Sequence, residues 1–392
     1  MRVRSNIKCE RAQSSTFSGR QPRNDWTPSA PNRRRFARRP QQLSKQETSE
    51  PQPRKPAVVV SGIQPSGTLH LGNYFGAIRQ HIELHDKHPS YYFIVNYHAL
   101  TSLHDRAALR SYSLDVALDY LALGFNPKLS SLFLQSDVPQ VTELAWIFAT
   151  LTPVSQLEKA VAFKDKVAQG LSANAGLFTY PILQAADILV YGGTLVPVGA
   201  DQKQNIEITR DTASKFNNTF CSDDAPLFPI PDPLILDSVS VVPGIDGRKM
   251  SKSYGNTIGI FDEGAALKKK VMGIVTDSKG LDEPKDPDSC NVFALIKLFA
   301  DDATRDRIAE AYRSGGYGYG HAKKELLGMI DDHFGEARER RRDLATRPDY
   351  VIDVLREGAK AAGLRAEEYM HRVRDVTGLI TTGSVTSEST QH

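Results

Sequence analysis

Short apolar runs alternate with segments of helical periodicity along the chain from about residue 57. The run at 57–61 contains three consecutive valines, which is typical of a strand buried on both faces of a parallel sheet. The segment at 73–85 carries helix-forming residues and predicts the first helix. Strands that alternate with helices predict a parallel sheet covered on both faces. Further strands are predicted at 91–95, 132–134 and 195–198, and further helices at 106–123, 142–151, 155–167 and 180–190.

The second part of the chain has a different pattern. From about residue 262 the periodicity is almost wholly helical, with one interruption rich in Gly and Tyr at 314–320. These patterns predict an α/β protein with a Rossmann-type doubly wound parallel sheet at 57–261, followed by an all-helical domain at 262–379. The last residues, 380–392, are predicted to form a disordered tail.

Composition excludes several classes of protein. The 392 residues are 40% hydrophobic, and no run of eighteen or more apolar residues is present, which argues against a membrane-spanning helix. The mean hydropathy of −0.37 is that of an ordinary globular chain. Cys9, Cys221 and Cys290 are far apart, so neither a disulfide framework nor a zinc or iron–sulfur site is expected. We therefore predict no protein-bound metal and a reducing compartment.

The net charge of +3 is unevenly distributed. Residues 1–56 contain 14 Lys and Arg against 4 Asp and Glu, a local charge of +10 that leaves −7 for the rest of the chain. This segment has few apolar residues, so it is predicted to be a disordered basic tail. Three interpretations stay open: an organelle transit peptide, an arm that attracts RNA, or a dispensable leader. The predicted location is the cytoplasm, with the mitochondrial or plastid matrix as the alternative.

A polar turn follows the first predicted strand. Gly67 and Gly72 would let the backbone approach a ligand closely, and His70 and Asn73 lie three residues apart, on one face of a helical turn. Neither a dinucleotide-binding glycine pattern nor a phosphate-binding P-loop pattern is present. Taken alone, this segment also fits a capped helix start with a histidine satisfied inside the protein.

A second motif, Lys-Met-Ser-Lys-Ser at 249–253, follows a glycine-containing loop at 244–247. Two lysines and two hydroxyls on a flexible loop can close on a polyphosphate and neutralise negative charge. Most short Lys/Ser runs are solvated surface loops. The combination of both motifs, in this order and on either side of an α/β domain, favours a shared nucleotide site.

The two motifs, at 70–73 and 249–253, resemble the signatures of class I aminoacyl-tRNA synthetases. With the segments 62–67, 180–189 and 197–204, the resemblance narrows to bacterial-type tryptophanyl-tRNA synthetases and extends over about 58–379. It implies ATP-dependent activation of L-tryptophan to tryptophanyl-adenylate with release of pyrophosphate, and then transfer to the terminal adenosine of tRNA(Trp). It also implies a homodimer, with no membrane partner.

The resemblance assigns catalytic and ATP-binding roles to residues of both motifs and of other segments. Catalysis would involve His70, Asn73, Lys166, Lys249, Ser251, Lys252 and Ser253. Mg²⁺ would arrive bound to the ATP phosphates rather than in a cage of carboxylates. The predicted ATP-binding residues are Gln64, Pro65, Ser66, Gly72, Asn73, Gly199, Ala200, Asp201, Val241, Val242, Lys249, Met250, Ser251, Lys252 and Ser253.

The resemblance also predicts the amino-acid pocket. Asp187 would select tryptophan, because the indole N–H only donates a hydrogen bond and a carboxylate only accepts. Asp187 lies within an apolar helical pattern, so it is expected to point inward; a helix cap or a surface salt bridge is the alternative. The other predicted tryptophan-binding residues are His98, Tyr180, Gln184, Ile188, Val196, Val198 and Gln202.

Basic residues in the helical part are candidates for contact with the tRNA backbone, although charge runs on helices are usually only solvated faces. Three other functions stay open from the sequence: a tyrosyl-tRNA synthetase, a nucleotidyltransferase acting on a small metabolite, and a non-enzymatic RNA-binding paralogue. The candidate basic residues are Lys323, Lys324, Arg338, Arg340, Arg341 and Arg342.

Overall fold

A computed structural model of the chain describes residues 57–168, 174–235 and 242–380. The two predicted tails, 1–56 and 380–392, lie outside these residues except for Ile380. From Ala57 onward the described chain belongs to a single compact unit. The predicted boundary at 261/262 between a catalytic and a helical domain stays a prediction.

The centre of the molecule is a parallel sheet of five strands in the order β3-β2-β1-β4-β5. Val59 and Val60 are fully buried, because both faces of the first strand are covered. The chain winds from β1 to one side through β2 and β3, and then returns to the other side through β4 and β5. The strands are β1 (Val59–Ile63), β2 (Ser90–Ile94), β3 (Ser131–Leu134), β4 (Leu195–Pro197) and β5 (Asp232–Leu234).

The strand β5 was missed by the sequence analysis. Its middle residue is Pro233, and Pro229 and Pro231 precede it, so the segment does not have the composition of a strand. Proline lacks the N–H that a central strand needs, but an edge strand has one unpaired side. In the described sheet β5 lies at the edge beside β4, which accommodates the proline.

Helices cover both faces of the sheet. The predicted helix at 73–85 begins earlier, at Leu71, and contains a π-helical turn at Tyr74–Ile78 between α1 and α2. The predicted helix at 155–167 is two helices, α6 and α7, and the side chain of Gln204 accepts the Val161 N–H at the start of the second (2.9 Å). The helices are α1 (Leu71–Asn73), α2 (Arg79–Leu84), α3 (Asn96–Ala99), α4 (Arg106–Ala122), α5 (Gln140–Leu151), α6 (Val154–Leu157), α7 (Val161–Ala168), α8 (Ala175–Leu189) and α9 (Lys203–Phe220).

The part of the chain after residue 262 is mostly helical, as predicted, but the segment at 273–290 is not. There the buried ammonium of Lys285 donates to the carbonyl oxygens of Gly280, Leu281 and Glu283 (2.7, 3.1 and 2.8 Å). A compact loop around one lysine replaces the helix that the pattern predicted. The helices are α10 (Gly264–Met272), α11 (Asn291–Ile296), α12 (Asp302–Ser314), α13 (Tyr319–Ala345) and α14 (Pro348–Thr377).

The long helix α14 packs against β3, at the other edge of the described sheet. Gly358 allows this contact, because a Cβ atom at this position would lie 2.1 Å from the carbonyl oxygen of Leu132. The helix backbone therefore lies directly against the strand backbone. This contact covers an edge strand, which would otherwise offer unpaired groups to other chains.

We expect Gly358→Ala to lower the free energy of unfolding by about 1–3 kcal/mol, because the helix must move away from the strand. Gly363 lies on the same helix with no atom within 4 Å of the position of a Cβ. Gly363→Ala is the matched control and should raise stability by roughly 0.5–1 kcal/mol. Urea unfolding followed by circular dichroism measures both changes. Equal effects at the two positions would contradict the close contact.

Candidate functional site

A cavity opens where the carboxyl ends of β1 and β4 lie side by side. The chain leaves these neighbouring strands toward opposite sides of the sheet, and open α/β sheets bind ligands at such switch points. The cavity encloses about 390 Å³. Gly62 within β1 and Gln64 directly after it line the cavity, as do Pro197, Val198 and Gly199 at the end of β4.

The cavity is lined by all eight residues that were predicted to bind tryptophan. They come from α3, α8, β4 and the segment before α9, so the fold brings together positions that are far apart in sequence. That they bind tryptophan stays a prediction. The eight are His98, Tyr180, Gln184, Asp187, Ile188, Val196, Val198 and Gln202.

Asp187 is the buried acid of this cavity, with 2% of its surface exposed. It lies on α8, faces inward as expected, and its Oδ2 atom is 2.9 Å from His98 Nε2. Gln135 donates from Nε2 to both carboxylate oxygens, at 2.9 and 2.8 Å. Burial raises the pKa of Asp187 above its usual value, while the bonds from His98 and Gln135 act in the opposite direction.

Gln135 was missed by the sequence analysis. It comes directly after β3, at the same edge of the sheet as the predicted site residues. This position is the signal that could have found it, because parallel strands bring their carboxyl ends together.

His81 lines the cavity and was also not singled out from the sequence. Its Nδ1 atom lies 2.8 Å from the Tyr120 hydroxyl, and its side chain is 1% exposed. Burial lowers its pKa to about 4, so the imidazole is neutral at pH 7. The wall of the cavity therefore includes a polar group without a positive charge.

A chain of hydrogen bonds runs along one side of the cavity. The Tyr180 hydroxyl donates to Asn205 Oδ1 (3.3 Å), and Asn205 Nδ2 donates to Gln202 Oε1 (2.9 Å). Gln202 Nε2 then donates to Asp201 Oδ2 (3.0 Å). The predicted amino-acid residues Tyr180 and Gln202 are thus linked to Asp201, which was predicted to contact the nucleotide.

The first motif, residues 70–73, forms the start of α1, after the turn that follows β1. The His70 N–H donates to the Asn73 side chain (3.1 Å), which caps the start of the helix. His70 is buried; burial, and then the charge of Lys252, lower its pKa to about 4. A Cβ atom at Gly72 would lie 3.0 Å from the His70 ring and 3.5 Å from Met250 Cβ, so the glycine permits close packing of both motifs.

The second motif lies on a small hairpin, which we call the flap (residues 242–256). The Met250 N–H donates to the Val242 carbonyl (2.9 Å), so Val242 forms the base of the hairpin. Asn256 stabilises the other end of the hairpin. Its side chain accepts a hydrogen bond from the Ser251 N–H (2.8 Å) and donates one to Asp246 (2.7 Å). A buried asparagine thus gives the loop a defined shape.

The flap contacts the turn that leads from β1 into the first motif. Lys252 Nζ donates to three oxygens of the β1–α1 turn: the carbonyl and hydroxyl oxygens of Ser66 (3.0 and 3.1 Å) and the carbonyl oxygen of Gly67 (3.0 Å). After the flap, the Ile258 carbonyl accepts the Leu71 N–H (3.0 Å). The two sequence motifs, far apart along the chain, therefore form one site.

This geometry agrees with the comparisons with known proteins. The family model described as tRNA synthetases class I (W and Y) matches residues 52–335. The chain belongs to this family. The family resemblance and the fold class predicted from the sequence are both confirmed.

Several relatives cover most of the chain. It is 49% identical over 321 residues to the tryptophan–tRNA ligase of Fusobacterium nucleatum, an alignment that covers 82% of this chain and 98% of that protein. The identity with the tryptophan–tRNA ligase of Campylobacter jejuni is 46% over 321 residues, or 82% of this chain and 99% of that protein. A crystal structure of C. jejuni tryptophanyl-tRNA synthetase with ADP and tryptophan aligns with a TM-score of 0.76 and covers 82% of this chain and 100% of that one.

Some predicted residues of this class I synthetase lie outside the described part. These are Val241 and the side chains of Lys166 and Ala200. Lys249 and Ser253 are exposed on the flap, beside the half-buried Ser251 and Lys252. In the described ranges no group of three or more His, Cys, Asp or Glu residues could hold a metal ion.

Two candidate tRNA contacts in the helical part need correction. Lys323 is buried and donates to the carbonyls of Met272 and Ile274 at the end of α10 (3.0 and 2.6 Å). Arg338 is buried and donates to the Ile260 carbonyl (3.2 Å). Each side chain therefore joins two segments inside the protein and does not face a bound tRNA. Lys324 and Arg342 are exposed, while Arg340 and Arg341 are half-buried in contacts with the Ala122 carbonyl and Asp119.

None of the helices in residues 57–168, 174–235 and 242–380 is long and apolar enough to cross a membrane.

Proposed function

We propose that the chain is a tryptophan–tRNA ligase that activates L-tryptophan with ATP and transfers it to tRNA(Trp). The observation that carries the proposal is the buried carboxylate of Asp187, in a cavity beside a lysine flap at the switch point of the sheet. Relatives named tryptophan–tRNA ligase, at 46–49% identity over most of the chain, support the choice of amino acid.

In the first step the tryptophan carboxylate attacks the α-phosphorus of ATP and pyrophosphate leaves. An amino-acid carboxylate is ionised at neutral pH, so the step needs no general base. Catalysis then depends on positioning and on stabilising the charge of the leaving phosphates. A cavity for the amino acid, with cationic side chains on a flap beside it, meets both needs.

The contacts of Lys252 support a phosphate site beside the turn that follows β1. Its ammonium donates hydrogen bonds to three neutral oxygens of Ser66 and Gly67. Negatively charged phosphate oxygens attract an ammonium more strongly, so they can replace these neutral acceptors. Lys249, exposed on the same flap, supplies a second cation. The neutral imidazole of His70 would hydrogen-bond to the phosphates without adding charge.

The remaining predicted roles follow the shape of the site. Asp201 would accept hydrogen bonds from the two ribose hydroxyls, and Gln202 would lie between the ribose and the amino acid. Mg²⁺ would enter bound to the triphosphate and neutralise part of its charge. We place the activity in the cytoplasm, which subcellular fractionation followed by an activity assay checks.

The selectivity of the first step tests the proposal most simply. We expect pyrophosphate exchange that depends on tryptophan and not on tyrosine. Asp187→Ala should raise the KM for tryptophan roughly 10- to 100-fold, because a charge-assisted hydrogen bond is lost, and leave the KM for ATP near its original value.

The exposed residue Asp223 offers a control. Asp223→Ala should behave like the original protein. Exchange driven by tyrosine would favour a tyrosyl-tRNA synthetase, and wild-type kinetics of Asp187→Ala would remove Asp187 from the substrate site. Charging of tRNA(Trp) with labelled tryptophan then tests the second step.

We expect a substitution in the flap to change kcat and not the KM for tryptophan. Lys252→Ala should lower kcat for pyrophosphate exchange on the order of 100-fold, because the lysine acts on charge that develops as pyrophosphate leaves. The KM for tryptophan should change little, since the flap lies outside the amino-acid cavity. Lys268→Ala, at an exposed lysine on α10, is the matched control. A rise in the tryptophan KM at constant kcat would contradict this role.

We infer that two copies of the chain form a homodimer through the outer face of α5. Thr142, Trp146 and Thr150 lie four residues apart along this face and are exposed, and Pro153 and Val154 follow. Trp146 is 73% exposed, which is unusual for an indole unless a partner covers it.

Trp146→Glu is therefore expected to convert the dimer into monomers, because a charge would be buried in the interface. Size-exclusion chromatography with light scattering measures the mass. Leu281→Glu, at a leucine that is 51% exposed in the loop at 273–290, should stay dimeric. A dimer that survives Trp146→Glu would exclude this face.

A further inference from the structure

Gln135 is held at both ends of its side chain. It is 1% exposed, its Oε1 atom accepts the Tyr97 N–H (3.0 Å), and its Nε2 atom faces Asp187. A backbone N–H can only donate, so the oxygen of the amide must face Tyr97 and the amino group must face the carboxylate. The orientation of the amide is thus set by its partners.

The segment around Gln135 is also fixed. Asn96 Nδ2 donates to the Ser136 hydroxyl (2.8 Å), and the Ser136 N–H donates back to Asn96 Oδ1 (3.1 Å). These bonds join the chain after β2 to the chain after β3. Because α3 also carries His98, both donors to Asp187 belong to one braced unit.

The two oxygens of Asp187 are used unequally. Oδ2 has two neighbours, His98 Nε2 and Gln135 Nε2, whereas Oδ1 has Gln135 Nε2 alone among the described residues. Each carboxylate oxygen can accept about two hydrogen bonds. Oδ1 therefore keeps one acceptor position, and Asp187 lines the cavity.

Gln135 differs from His98 as a donor. The role of a histidine nitrogen depends on its tautomer, but a primary amide always presents its two N–H groups. A buried carboxylate needs such donors to stay ionised, and a protonated Asp187 would present an O–H to the substrate in place of a pure acceptor.

We infer that Gln135 is a positioning residue that determines amino-acid specificity, by holding Asp187 so that Oδ1 accepts the ring N–H of the substrate. The inference rests on the proposed function, because it concerns the same pocket. Gln135 acts through Asp187 and need not touch the amino acid.

The test compares tryptophan with its benzothienyl analogue, in which sulfur replaces the ring N–H. Both are measured by pyrophosphate exchange with the original protein and with Gln135→Leu. We expect Gln135→Leu to raise the KM for tryptophan roughly 10- to 100-fold, with kcat and the KM for ATP within about twofold. The analogue cannot use Oδ1, so its kinetics should change little and the preference for tryptophan should fall by at least about tenfold.

Two further variants make the result decisive. Gln80 is another buried glutamine, 4% exposed, and does not line the cavity, so Gln80→Leu should keep the preference for tryptophan. Gln135→Glu preserves the shape of the side chain and provides the comparison if Gln135→Leu does not fold. It turns an acceptor oxygen toward Asp187, and it should lose the preference for tryptophan as well.

The outcomes distinguish a failure of the proposed function from a failure of the inference about Gln135. If the original protein shows no tryptophan-dependent exchange, the proposed function is overturned and this inference with it. If exchange is present but Gln135→Leu and Gln135→Glu weaken tryptophan and the analogue in parallel, or leave both unchanged, only the inference about Gln135 is overturned.

Discussion

A carboxylate inside a protein requires hydrogen-bond donors around it. The buried carboxylate of Asp187 has such donors, and they come from distant parts of the chain. Moving such a charge out of water costs several kcal/mol unless hydrogen bonds replace those of the solvent. The donors come from the ends of β2 and β3, and the acid itself comes from α8. Three separate segments must therefore reach one point, and the parallel sheet brings them there.

The part of the site that we propose for the nucleotide depends on a second long-range connection. The segment after the flap pairs with the segment around His70, so the flap is tethered beside the turn that follows β1. Lys252 can then reach the turn, while Lys249 stays at the surface. The same sheet edge thus places the acceptor that we propose for the amino acid next to the cations that we propose for the phosphates. In the proposed function, this proximity is the physical basis for joining the two substrates.

Much of this arrangement could be predicted from local patterns. The valine run at β1 and the alternation of strands and helices indicated the sheet, and the inward direction of Asp187 followed from its apolar neighbours in α8. The two motifs indicated the family, and the family model confirms it. These features depend on residues close together in sequence, or on motifs that can be read directly.

Features that depend on particular contacts formed only in the folded chain could not be predicted. β5 contains a proline and is a strand only because β4 lies beside it, and the loop at 273–290 is shaped by the buried Lys285. Lys323 and Arg338 resembled exposed basic residues until the structure placed carbonyl oxygens around them. Gln135 had no local signal apart from its position after β3. For β5, Lys323, Arg338 and Gln135 the deciding partner is far away in the sequence, whereas the loop at 273–290 depends on Lys285 bonding to carbonyl oxygens of its own segment.

The most direct measurement is a crystal structure of this protein with L-tryptophan. We predict that the ring nitrogen lies about 3 Å from Asp187 Oδ1, with Gln135 still bonded to both carboxylate oxygens. A ring bound elsewhere, or a ring nitrogen that points away from Asp187, would contradict the central claim that this buried acid selects the amino acid.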